Sequence, residues 1–211
     1  NKVVLIVLYW CQELNSTVAR HFWRRIGEKI MKLKENMQMP DFVYLSPYEQ
    51  DEKHASEYIK GKKAVIVFLR YYGCTSCRLD LHIYAQRIEE FKAKGAQLMV
   101  VLQSSPETVA EEAEKGFFPF EIACDPSQTV YRQFEIEPAK SKLKLVGGGL
   151  FKLLKKMKQA KKFGFEHGAY EGNEEQLPAV VIVDEKGVIK YSHYAKNIVD
   201  MPTVDEMINM L

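Results

Sequence analysis

Two cysteines, Cys74 and Cys77, stand where one structural period stops and another begins. Residues 64–69, Ala-Val-Ile-Val-Phe-Leu, form an apolar run rich in β-branched and aromatic side chains, which predicts a buried strand. Beyond them Leu81, Tyr84, Ile88 and Phe91 recur at helical spacing, so Cys74 to Cys77 should open one long helix. Between the two lies Arg70-Tyr71-Tyr72-Gly73-Cys74-Thr75-Ser76-Cys77-Arg78, with a cysteine pair at i and i+3 on the first helical turn. Such a pair closes a small disulfide ring or stays a dithiol. Free N–H groups and the positive end of the helix dipole favour a thiolate at that place. Arg70 and Arg78 add charge of the same helpful sign. The pattern is that of a redox centre.

Zinc, or a pair of inert buried thiols, is the weaker reading. Zinc wants four ligands, yet only Cys11 and Cys124 remain, far apart, and the five histidines are scattered. No metal or cofactor beyond the cysteine pair is expected. Four cysteines in 211 residues are too few for a secreted disulfide scaffold. One C-x-x-C in an α/β pattern fits a catalytic dithiol in a reducing compartment, so a cytoplasmic location is expected. A net charge of +2 argues against a polyelectrolyte binder, and no nucleic-acid motif, phosphate loop or carboxylate pair stands out. No apolar run approaches the ~20 residues of a membrane span.

Residues 1–38 read as an N-terminal extension. Val3 to Trp10 is apolar, but no small-x-small site follows to make it a signal peptide. Val18, Phe22, Trp23, Ile26 and Ile30 make an amphipathic stripe, so a strand and a helix are expected over 1–30. Gly27-Glu28-Lys29 back-translates to a purine-rich run of the ribosome-binding type, which favours Met31 as the native start.

From Met39 onward the reading is of one domain, 39–211. Residues 40–45 approach as a short extended segment, and 52–59 read as a short helix ending at Gly61. After the cysteine helix, closed near Lys94-Gly95, residues 97–102 form a second buried strand. Ser105 caps and Pro106 starts a helix through Glu114. Residues 117–124 are a partly extended connection and 128–134 a short helix. Residues 179–184 and 188–191 form a hairpin around Glu185-Lys186-Gly187, and Thr203 with Glu206 makes a capping box for a final helix. Strand, helix, strand, helix, insert, hairpin, helix is the thioredoxin-fold order: an α/β fold, its central mixed sheet flanked by helices.

The insert, 139–176, is the least conventional part. Gly147-Gly148-Gly149 reads as a flexible break. Leu150, Leu153, Leu154, Met157 and Ala160 then form one helical stripe, and residues 140–162 carry nine lysines and no acids. The plainer expectation is a peripheral helix that packs this stripe on the domain and leaves its lysines in water. The alternative is contact of 150–162 with a membrane surface or an acidic partner.

These residues resemble a known superfamily. Strand-Tyr72-Gly73-Cys74-Thr75-Ser76-Cys77-Arg78, with Leu177-Pro178 before the late strand, resembles the thioredoxins. Met39-Pro40-Asp41-Phe42 and Asp125-Pro126-Ser127 before Val130-Tyr131 look like the alkyl hydroperoxide reductase C / thiol-specific antioxidant group. The insert and Asp200-Met201-Pro202 look closest to its peroxiredoxin-like family 2 branch, which carries a C-x-x-C. The resemblance covers 39–211. Two departures follow from it. In the Pro-x-x-x-Thr/Ser-x-x-Cys pattern counted back from Cys77, Cys74 takes the Thr/Ser place and Arg70 the Pro place. The family's late catalytic Arg is missing, since no Arg follows Arg132, and Pro178 stands there instead. In thioredoxins the matching proline is cis and sits against the dithiol. A cis Leu177–Pro178 bond is therefore possible here, at the small cost X–Pro bonds carry.

The resemblance implies a thiol-dependent oxidoreductase: hydroperoxide reduction by a Cys74/Cys77 couple, restored by a thioredoxin-type reductant. Alignment to peroxiredoxins favours Cys77 as the first nucleophile. Helix geometry and thioredoxin precedent favour Cys74, as the more exposed thiolate. Arg70, Gly73, Thr75, Ser76 and Pro178 are candidates for binding substrate or tuning the thiolate. The rivals are a protein disulfide reductase without peroxidase activity and a non-catalytic thioredoxin-fold binding module. Tyr71 and Tyr72 read as pocket wall or loop packing, Cys124 as a small buried hydrophobe rather than a distant resolving cysteine, and His167 as a surface loop residue.

Overall fold

A computed structural model of the chain describes residues 30–211. The expected extension over 1–30, with its strand and helix, lies outside the described residues but for Ile30, as does Cys11. Within the compact unit Lys32–Leu211 the sheet order is β2-β1-β5-β4-β3-β6-β7. The strands are β1 (Val43–Leu45), β2 (Glu52–His54), β3 (Lys63–Phe68), β4 (Ala96–Leu102), β5 (Glu121–Cys124), β6 (Ala179–Val183) and β7 (Ile189–Tyr194). β3, β4 and β5 run parallel, whereas β6 lies antiparallel to β3 and β7 to β6. The sheet is thus mixed and thioredoxin-like, as expected.

The strand read from 64–69 sits in the middle of this sheet, and its uninterrupted apolar run follows from cover on both faces. Val65, Val67 and Leu69 point to one core with Leu98, Val100 and Leu102, while Ala64, Ile66 and Phe68 point to a second with Met99, Val101 and Phe134. The first core is closed by helices α2 (Thr75–Gln86), α3 (Ile88–Ala93), α4 (Pro106–Glu112) and α8 (Val204–Asn209). The second is closed by α1 (Ala55–Ile59) and α5 (Thr129–Gln133). Fully buried Tyr131 on α5 places its hydroxyl 2.9 Å from Val101 O and against Leu69 O, joining the ends of β4 and β3 below the cysteine loop.

Several expectations hold in detail. Ser105 caps α4 by accepting from Thr108 N, and Thr203 and Glu206 form the capping box of α8. Gly95 takes a left-handed φ of +71° behind α3, and Gly187 one of +75° in the β6–β7 turn. Others need correction. Residues 52–54 are not helical: they pair with β1, with His54 opposite Val43, and the helix begins only at Ala55. The long cysteine helix is two helices. At Arg87 the N–H is shared between Ile83 O and Tyr84 O, which tightens the turn and ends α2 before α3 starts. The partly extended 117–124 connection, by contrast, is as expected: its last four residues form β5, paired to β4 on one side and at Leu45 to β1 on the other.

The insert forms α6 (Lys142–Val146), a 3-10 turn at Gly147–Gly149, and α7 (Leu150–Lys162), which packs on α2. The three glycines are not a loose break. A Cβ on Gly149 would stand 2.5 Å from Val199 Cγ2, so that glycine admits a close crossing. The stripe on α7 is only partly covered: Ala160 is buried and Leu153 and Met157 are half-buried, whereas Leu150 and Leu154 stay 56% and 59% exposed. Nor are all its lysines in water, because Lys156 reaches Asp80 of α2 at 2.6 Å. Among the described residues no helix is long and apolar enough to cross a membrane.

Candidate active site

The site is built where β3 and β4 end. The ladder continues one step past both strands, with Leu69 N donating to Val101 O and Gln103 N to Arg70 O at 2.8 Å. Arg70 and Gln103 therefore leave adjacent strand ends side by side. Tyr71, Tyr72 and Gly73 turn the chain into α2, and Cys74 becomes its N-cap. The Cys74 sulfur does the work usually done by a capping oxygen: it accepts from Cys77 N at 3.3 Å. Arg70 Nη2 donates to the same sulfur at 2.9 Å, and the Ser76 hydroxyl lies 3.2 Å away. Thr75 is buried at the first helical position. Cys74 and Cys77 are both free thiols here.

These partners separate the two cysteines electrostatically. Burial works against charge on Cys74, but the Cys77 side-chain hydrogen bond, the Arg70 guanidinium, Ser76 and the Cys77 N–H outweigh it and hold the thiol well below its ordinary range. Burial pushes the Cys77 thiol well up, and its bond to Cys74 and the Cys74 charge push it further. Two interacting thiols share these titrations, so the pair holds one negative charge, centred on Cys74. The expectation that Cys74 is the more exposed of the two is corrected: both residues are buried, Cys74 at 0% and Cys77 at 4% exposure.

Against the cysteine loop lies a strap, residues 167–174, that follows α7. Gly168 N donates to Gly73 O at 2.8 Å. The crossing is so close that a Cβ on Gly73 would meet Ala169 O at 2.1 Å, which explains glycine at that position. His167 Nε2 lies 3.1 Å from the Tyr71 hydroxyl, and its ring stacks on Tyr170 with centroids 4.1 Å apart. Arg70 Nη1 donates to Glu174 O at 2.7 Å, and Gln103 Oε1 accepts from Asn173 N at 2.7 Å. Ser105 N donates to Glu171 Oε1 at 3.1 Å. Three atoms along this seam are buried with no hydrogen-bond partner: Arg70 Nε, Gln103 Nε2 and Glu171 Oε2.

The sequence candidates fare unequally. Arg70, Gly73, Ser76, Cys74 and Cys77 meet at one point. Arg78 does not join them; its guanidinium turns to Glu112 and lies over the Tyr72 ring at 4.8 Å. The Leu177–Pro178 bond is trans, since no cis peptide occurs among the described residues. Pro178 is buried just before Ala179, which pairs with Phe68, so it stands at the same end of the sheet as the cysteine loop. Tyr71 and Tyr72 are buried beside the site, and Cys124 is a buried free thiol that burial pushes up. His167 is exposed, as expected of a loop residue, but it is tied to Tyr71.

No sequence pattern marks the strap, Gln103, or the pairing of Asp80 with Lys156. Asp80 follows Cys77 by one turn on α2. Burial opposes charge on Lys156, and Asp80 more than offsets it, so the ammonium is held above its ordinary range. Among the described residues no group of three His, Cys, Asp or Glu is placed to hold a metal ion.

A seven-stranded thioredoxin-like sheet with a reduced dithiol at a helix N-terminus is the architecture of a peroxiredoxin-like protein. The chain belongs to the AhpC/TSA family, whose sequence profile matches residues 36–192. It is 27% identical over 95 residues to the thioredoxin-like protein AAED1, chloroplastic, of Arabidopsis thaliana. That match takes in 45% of this chain and 38% of the relative, so the chain spans well under half of that protein's length. The reduced 2-Cys peroxiredoxin of Plasmodium vivax has the same fold, with a TM-score of 0.58 at 12% identity over 82% of this chain and 78% of that one. The thiol peroxidase of Chromobacterium violaceum superimposes with a TM-score of 0.57 at 13% identity, over 86% and 88% of the two chains.

Proposed function

We propose that this protein is a thiol peroxidase in which Cys74 attacks the hydroperoxide and Cys77 resolves. The observation that carries the reading is the 2.9 Å contact of Arg70 Nη2 with the Cys74 sulfur. It supplies the cation that the missing late arginine would otherwise provide, and it leaves Arg70 Nε as a free donor for a peroxide oxygen.

In the first step the Cys74 thiolate attacks the terminal oxygen of ROOH. An S–O bond forms, the O–O bond breaks, and RO⁻ leaves to take a proton as ROH. Cys74 is now a sulfenic acid. Cys77 then loses its proton and attacks the Cys74 sulfur, expelling the hydroxyl as water and closing the disulfide. Two thiols and one hydroperoxide become one disulfide, one alcohol and one water. A thioredoxin-type dithiol restores the pair by exchange. A reducing compartment such as the cytoplasm suits this cycle.

Burial of the pair bears on the rival readings. Two buried cysteines favour a small oxidant over a folded protein's disulfide. NADPH consumption coupled through thioredoxin and its reductase tests this. Turnover is expected with hydrogen peroxide and an organic hydroperoxide, and only slight turnover with a protein disulfide. Turnover with the protein disulfide alone would make the protein a disulfide reductase; silence with all three would leave a binding module.

A further inference from the structure

From the outer face of α7 we infer that this helix docks the protein on an anionic lipid surface. The helix has two faces with different duties. Leu153, Lys156, Met157 and Ala160 turn toward α2, where the Lys156–Asp80 pair pins it. On the outer side Phe151 is 83% exposed, beside Leu150 and Leu154, with Leu143 of α6 equally bare nearby in the chain. At 100° per residue Leu150, Leu154 and Phe151 occupy one contiguous arc, and Lys155, Lys158, Lys161 and Lys162 continue it toward the C-terminus. All four of those lysines are exposed.

The chemistry of this face selects its occupant. Bare apolar side chains next to cations suit the boundary between acyl chains and headgroups. There the rings and branched chains enter the apolar layer, and lysine stems lie along it with their ammoniums at the phosphates. Residues 138–165 contain no Asp or Glu, so the helix and its approach bring no negative charge of their own to a negative surface. A single helix face is convex, which offers a folded partner little to grip, whereas a fluid surface conforms to it. A second copy is disfavoured, because two such faces would bring lysines against lysines.

Vesicle co-sedimentation of the full chain tests the proposal, with phosphatidylcholine alone and with phosphatidylcholine plus phosphatidylserine. Wild type should bind the anionic vesicles at least about tenfold more tightly than the neutral ones, and high salt should release it. Phe151→Ser/Leu154→Ser and Lys155→Gln/Lys158→Gln/Lys162→Gln change exposed side chains only and should melt like wild type. Both should lose most of the anionic binding. Equal binding to the two vesicle types overturns the proposal, as does unchanged binding by either variant. Binding to soluble polyglutamate without vesicle binding, indifferent to Phe151→Ser, would overturn it in favour of an acidic protein surface.

Discussion

Cys74→Ser is expected to bring hydroperoxide turnover down to the uncatalysed background, while Cys77→Ser should still consume about one hydroperoxide per chain before stopping. The asymmetry follows from the site. Cys74 has hydrogen bonds from the guanidinium and the helix N–H and a hydroxyl beside its sulfur; Cys77 feels the Arg70 charge, but burial and its bond to Cys74 outweigh it and push it toward the neutral thiol. With Cys77 gone the sulfenic acid on Cys74 has no partner on its own turn of helix, so it should persist and react with a sulfenic-acid-selective nucleophile. Cys124 is a poor substitute, being a buried thiol held neutral at the end of β5. The measurement is the coupled assay together with intact mass of each variant after peroxide. A single turnover in Cys74→Ser and none in Cys77→Ser would hand the attacking role to Cys77, as alignment to peroxiredoxins suggests.

Arg70→Met should produce the second large effect, and it should do so through pH. In the wild type Cys74 is held below the ordinary thiol range, so peroxide consumption should change little as pH rises from neutrality. Removing the guanidinium takes away a charge partner and leaves burial, which favours the protonated thiol. The rate then falls at neutral pH and recovers toward alkaline pH, because the reactive species is the thiolate. A drop that no alkaline pH restores would mean that Arg70 acts on substrate and not on the sulfur. A third possibility is built into its geometry: Arg70 also holds Glu174 O at 2.7 Å. Arg70→Lys keeps the charge but cannot span both partners, so it should recover more of the pH profile than of the strap's order, read by hydrogen exchange at residues 171–174.

Much of this was readable in the residues, and the reasons differ by element. Residues 64–69 announce a central strand because burial on both faces demands apolar side chains at every position. The cysteine pair announces its helix because the capping sulfur and the spacing of Leu81, Tyr84, Ile88 and Phe91 act locally. Residues 52–54 read as helix in sequence but form a strand, because a three-residue strand has no period of its own and only pairing with β1 decides it. The break at Arg87 is equally silent, since Ile88 and Phe91 keep helical spacing across it. The strap has no apolar pattern, as it is held by backbone groups, by the side chains of His167 and Glu171, and by the absence of side chains at Gly73 and Gly168. Lys156 is hidden for a different reason: nine lysines look alike in the sequence, and only docking of α7 on α2 picks the one that meets Asp80.

The strap makes reactivity a property of the reagent's girth as much as of the sulfur. Backbone crosses backbone at Gly73 and Ala169 with no room for a methyl group between them. A probe of two or three atoms needs only a brief parting of the chains there, and a bulky maleimide needs the whole crossing undone. A titration by one reagent will therefore not carry over to another, and a slow-labelling cysteine in this protein is not an unreactive one. For the proposed peroxidase the strap would act as a sieve, slowing large electrophiles far more than a small oxidant.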